Sequence, residues 1–115
     1  MKLVRDLIPQ IIEKSGLTCK YHFADNDEYE HRLFEKMIEE LDEFRETPNI
    51  EEAADMYEVL ISLCWFYKID MKDVIEAANL KKNNRGGFIK RQILEDVVDN
   101  DIEEDRCVTP FGEKK

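Results

Sequence analysis

Two stretches of the chain carry carboxylates at spacings that could hold a hard cation. In EKMIEELDEF, Glu35 to Phe44, the acids include Glu39, Glu40 and Glu43, and in IEEAADMYE, Ile50 to Glu58, Glu52 and Asp55 stand three apart. Residues three and four apart are neighbours on a helix, so Glu40 with Glu43, and Glu52 with Asp55, each make an adjacent pair. If the two helices lie side by side, four carboxylates converge. Like charges about 4 Å apart in a partly buried site repel by roughly 1 to 4 kcal/mol per pair, so such a cluster calls for a counter-charge. With oxygen donors only, and no His or Cys in reach, the set favours Mg²⁺, or Mn²⁺, over zinc.

Acids on helices are commonly no more than a solvated face, and it is position that sets these apart. At about 100° per residue, Glu40 falls about 20° from Leu33 and so lies at the margin of the apolar face. Glu52 and Asp55, continued by Glu58 and Ser62, form the polar stripe of a helix that is apolar almost all round from Met56 onward.

The elements that must position these residues can be read in turn. Pro9 suits a first helical turn and Gly16 a stop, which gives a short helix near Pro9 to Ser15. TCKYHFAD alternates Cys19, Tyr21 and Phe23 against Lys20 and His22, the pattern of a short strand that could pair with Leu3 to Arg5 as a minor β hairpin. A long helix starts near Asp27, capped by Asp25, Asn26 or Asp27, and stops at Thr47-Pro48. Its apolar face is Leu33, Phe34, Met37, Ile38, Leu41 and Phe44. The next helix, capped by Thr47 or Asn49, needs cover on most sides, which points to an all-α antiparallel bundle that includes a second copy of the chain. A further helix begins near Asp70 and breaks at Gly86-Gly87. FIKRQILEDVV suits strand or helix, and 96–115 reads as an acidic tail, irregular or part of the same domain, behind a helical domain, 1–95.

Composition narrows the class. The chain has 115 residues, 43% hydrophobic and 38% charged, which suits one globular domain and not a disordered segment. With 27 acids against 17 bases its net charge is -10, which argues against binding a nucleic-acid backbone. Cys19, Cys64 and Cys107 show no C-x-x-C spacing and read as reduced thiols, so a cytoplasmic location is expected. Lys2, Arg5 and Asp6 interrupt any export signal, and the apolar run Val59 to Tyr67 is about half a membrane span.

Taken together, Glu39-Glu40-x-x-Glu43 and Glu52-x-x-Asp55 resemble the E-E-x-x-E and E-x-x-D metal motifs of the all-α nucleotide pyrophosphohydrolase superfamily, which includes MazG-like and phosphoribosyl-ATP pyrophosphohydrolase proteins. KLVRDLIPQIIEKSG and RGGFIKRQILE resemble the flanks of a small MazG-related group, so the likeness runs from about Lys2 to Glu95. The short gap between the motifs, Phe44 to Glu51, is closer to the phosphoribosyl-ATP branch, whereas the flanks are not, and the substrate carries over from neither. The resemblance implies that Glu40, Glu43, Glu52 and Asp55 hold Mg²⁺ and that Glu39 orients or deprotonates the attacking water. Asn79, Lys81 and Arg85 would hold phosphate oxygens, and a nucleotide would be split to the monophosphate and pyrophosphate.

The remaining residues carry weaker indications. Bases in the last turn of a helix also complement its dipole, so Lys81, Lys82 and Arg85 have a structural role open to them. Lys36 would relieve the acids around it more readily than it would bind phosphate. Trp65, Phe66 and Tyr67 read as core, and Tyr29, His31 and Phe34 could line a base pocket. The rival to an enzyme is a silent acidic helical module that docks a basic protein partner.

Overall fold

The computed structural model describes residues 1–99, in which four α-helices and no strand are present. They are α1 (Ile8–Lys14), α2 (Asn26–Glu46), α3 (Ile50–Phe66) and α4 (Met71–Arg85). The fold is all-α, and no described helix is long and apolar enough to cross a membrane. The described residues divide into two compact units, Met1–Lys81 and a second that begins at Lys82. The expected tail begins in the irregular end of the described chain, and from 100 onward it lies outside the described residues, as does Cys107.

Local signals account for the helix ends. Asp25 caps α2 by accepting the Glu28 amide at 2.9 Å, and Asn49 caps α3 by accepting the Glu52 amide at 2.8 Å. Pro9 sits in the first turn of α1, and Gly16, with φ of 95°, takes the left-handed conformation just past its end. Helix α3 closes with the Ile69 amide on the Cys64 carbonyl at 2.8 Å and the Lys68 amide on the Trp65 carbonyl at 3.1 Å. That crossed pair is a Schellman ending with Lys68, at φ of 60°, in the position glycine usually takes.

Thr47, Pro48 and Asn49 alone separate α2 from α3, so the two helices turn back on one another as antiparallel neighbours. Rings at their far ends confirm the direction: Tyr29, early in α2, meets Phe66, at the end of α3, edge-on at 5.6 Å. The Tyr67 hydroxyl donates to Glu30 across the same end, and this bond, ahead of burial, raises the phenol above its usual range. Within α2 the inward positions run Leu33, Met37, Glu40 and Phe44, and within α3 Glu52, Met56, Val59, Leu63 and Phe66. Both follow the alternating four and three spacing of a helix-pair seam. Among the described residues Leu33, Val59 and Cys64 are the buried apolar ones, and Glu40 is the buried charged one.

Three expectations are corrected. The extended stretch Thr18 to Ala24 and Leu3 to Arg5 pair in no strand among the described residues. Tyr21 and Phe23 do share a side, with rings 5.8 Å apart, but His22 is tied to Glu28 of α2 at 2.9 Å instead of to a β ladder. Second, Phe34, Ile38 and Leu41 are exposed, because the apolar stripe of α2 is wider than the single seam that α3 covers. Trp65 likewise is 75% exposed, while Phe66 is half-buried. Third, Phe88 onward, expected as strand or helix, has no regular element within the described residues.

Candidate metal centre

The acids reach one another because the seam carries them. Glu40 stands seven residues after Leu33, two turns along the same side of α2, and Glu52 occupies the first turn of α3 where its amide is fixed by the Asn49 cap. Carboxylate oxygens of Glu40, Glu52 and Asp55 lie within 4.8 Å of one another, and so do those of Glu39, Glu40 and Glu43. Glu40 belongs to both groups and links them.

A seam position normally takes an apolar side chain, and a carboxylate there needs partners. Glu40 is 5% exposed, and its Oε2 accepts from Lys36 Nζ at 3.1 Å, but its Oε1 is buried with no hydrogen-bond partner. Glu52 Oε1 is in the same state. Burial, followed by the charges of Glu43, Asp55 and Glu40, raises the Glu52 carboxyl above its ordinary value even though it stands at the positive end of α3. Burial opposes the charge on Lys36, yet the hydrogen bond to Glu40 and the nearby Glu39 outweigh it and hold the ammonium above its usual range.

Three bases face the cluster. Lys36 lies 3.4 Å from Glu39 as well as beside Glu40, Lys2 lies 3.8 Å from Glu39, and Arg5 Nη2 donates to Asp55 Oδ1 at 2.7 Å. Alongside opens a cleft of about 740 Å³, with Glu40, Asp55, Glu58, Lys36, Arg5 and Tyr29 in its lining and Leu7, Ile8 and Ile11 forming an apolar wall. This volume falls in the range of small-molecule sites.

Of the residues singled out in the sequence, Glu39, Glu40, Glu43, Glu52 and Asp55 are thus brought together. Asn79 and Lys81 are not: both are exposed on α4, which packs against neither α2 nor α3, and neither lines the cleft. Arg85 belongs to the second unit. Tyr29 does line the cleft, whereas His31 pairs with Glu35 on the exposed side of α2 at 3.0 Å and Phe34 turns toward Tyr67, rings 6.5 Å apart. Sequence reasoning missed Lys2 and Arg5. Their only signal was a pair of bases three apart at the start of an acidic chain.

No family model, curated protein or solved structure matches this chain. The donor chemistry therefore has to speak for itself, and it fits a hard divalent cation: oxygen donors from two helices, two of them buried and without a hydrogen-bond donor.

Proposed function

We propose that the protein is a Mg²⁺-dependent nucleotide pyrophosphohydrolase, splitting a nucleoside triphosphate or related nucleotide into the monophosphate and pyrophosphate. The observation that carries this reading is the buried, partnerless Oε1 of Glu40 in the α2–α3 seam, on a carboxylate grouped with those of Glu52 and Asp55. Glu40, Glu43, Glu52 and Asp55 are the residues that would hold Mg²⁺, with Mn²⁺ an alternative. A divalent cation bound there supplies counter-charge for phosphate oxygens and a more acidic water, so no Ser, Cys or His nucleophile is required.

The chain's own groups have distinct parts in this scheme. Glu39, half-buried and held by Lys36, is the candidate to orient or take a proton from the attacking water. Lys36 holds the Glu40 carboxylate in place through the 3.1 Å contact to its Oε2. Leu7, Ile8 and Ile11 offer an apolar wall on one side of the cleft, and Tyr29 offers a face for a base. The phosphate role of Asn79, Lys81 and Arg85 rests on the resemblance alone.

The same reading includes a homodimer or higher homo-oligomer acting on a small nucleotide, with no nucleic acid and no membrane as partner, in the cytoplasm. Phe34, Ile38, Leu41 and Trp65 are the apolar surface a second copy would cover.

A second reading has an observation of its own. Asp55, Glu39 and Glu40 already sit beside internal bases, as they would in an inert acidic module that docks a basic protein. Pyrophosphate release from a panel of nucleotides, with Mg²⁺ and with EDTA, separates the two. The enzyme reading expects metal-dependent release that falls at least about 100-fold in Glu40→Gln and in Asp55→Asn. Release that persists in both variants, or none from any nucleotide, would remove it.

A further inference from the structure

Arg5 reaches Asp55 from 50 residues away in sequence and takes the place at that carboxylate which a cation would want. Its backbone is anchored, since the Ile8 amide donates to the Arg5 carbonyl at 3.0 Å at the entry to α1. Its guanidinium is not buried: the Arg5 side chain is 56% exposed and that of Asp55 37%. Lys36, by contrast, is 19% exposed and wedged between Glu39 and Glu40, so it is fixed in the seam. Arg5 can therefore leave its carboxylate without losing packing, as can Lys2, 65% exposed, at Glu39, but of the two Arg5 alone sits on Asp55.

The cleft also poses a charge problem. A polyphosphate entering a chain of net charge -10 is repelled unless bases meet it, and the bases lining the cleft are Lys2, Arg5 and Lys36. A guanidinium presents a planar fork of donors that matches phosphate oxygens two at a time, which an ammonium does not. A divalent cation taking Asp55 would leave that fork at the wall of the cleft with no carboxylate of its own.

We propose that Arg5 is a displaceable counter-ion: it holds Asp55 in the metal-free protein, yields that carboxylate to a divalent cation, and then binds the phosphate oxygens of the substrate. This rests on the metal-site reading and adds to it a phosphate-binding residue together with an order of events, metal before substrate. It predicts opposite effects of one substitution on two ligands.

Calorimetric titration of the full chain with Mn²⁺, and then of the Mn²⁺-loaded protein with inorganic pyrophosphate, reads both without turnover. Arg5→Gln removes the competitor, so Mn²⁺ should bind about two- to five-fold more tightly, the range an exposed ion pair supports. Pyrophosphate should bind about ten-fold more weakly, and Arg5→Lys, which keeps the charge and loses the fork, should fall between. A purely structural Arg5 would shift both affinities the same way, and that result, or two unchanged affinities, would overturn the proposal. Tighter Mn²⁺ with unchanged pyrophosphate would overturn the phosphate half. Failure of the underlying metal site looks different, because the wild-type chain would then bind no Mn²⁺ at all.

Discussion

Glu40 and Glu52 hold positions in a helix seam where an apolar side chain would cost nothing, and each keeps one carboxylate oxygen buried without a donor. A buried acceptor left unpaired has lost its water without a replacement, so removing the charge is expected to stabilise the metal-free fold. For Glu52 the sign can be worked through. Its carboxyl is raised in the fold by burial, Glu43, Asp55 and Glu40, so the native chain keeps this proton at a pH where the unfolded chain has lost it. The stability it contributes is present below the ordinary glutamate value and is lost as pH rises through the raised value. Melting curves in EDTA between about pH 4 and 7 should therefore show wild type losing ground to Glu52→Gln as pH rises, with the variant melting higher at pH 7. Equal melting temperatures across that range would mean that Glu52 bears no strain from its neighbours. Glu40→Gln should likewise keep the metal-free fold, because Lys36 retains Glu39 as a partner at 3.4 Å.

At the scale of elements, capping decides both where helices stop and where the acids point. Asn49→Ala removes the acceptor of the Glu52 amide and should cost about 1 kcal/mol in urea unfolding, with a loss of divalent-cation affinity because the first turn of α3 frays. Lys68 sits left-handed at the end of α3, where a non-glycine residue is strained, so Lys68→Gly should stabilise by about 0.5 to 1 kcal/mol in the same assay. Much of this level is legible in the chain. Asp25, Asn49, Thr47-Pro48 and Gly86 mark helix ends through their own side chains or conformational freedom, and the three-residue turn after Glu46 makes α2 and α3 antiparallel. The convergence of Glu40, Glu43, Glu52 and Asp55 follows from that turn and from spacing. What local pattern does not carry is pairing at a distance. The alternation of Cys19, Tyr21 and Phe23 indicates an extended segment correctly, yet nothing in it says whether a partner strand exists. Arg5 on Asp55 joins residues 50 apart with no periodic trace, whereas Lys36, three and four residues from Glu39 and Glu40 on one helix, shows its pairing in the spacing.

Across the whole molecule, the single chain has a thin core: Leu33, Val59 and Cys64 are its buried apolar residues among the described ones. Apolar side chains that helical periodicity marks for burial, Phe34, Ile38 and Leu41, remain exposed, as does Trp65. If a second copy covers them, Ile38→Glu should convert an oligomer to monomer in sedimentation experiments and lower its melting temperature, whereas a wild-type monomer would remove the oligomer from the reading. On the proposed reading the overall charge of -10 matters as well, since an acidic chain would repel a polyphosphate unless cations met it first. The central claim, that the acids of the α2–α3 seam form a divalent-cation site, has one direct measurement: the melting temperature of wild type and of Asp55→Asn as Mg²⁺ is titrated. Binding to the native state alone stabilises it by about 2.7 kcal/mol at a hundred times the dissociation constant. The expected result is a saturable rise for wild type that Asp55→Asn abolishes, and melting temperatures that ignore Mg²⁺ in both proteins would contradict it.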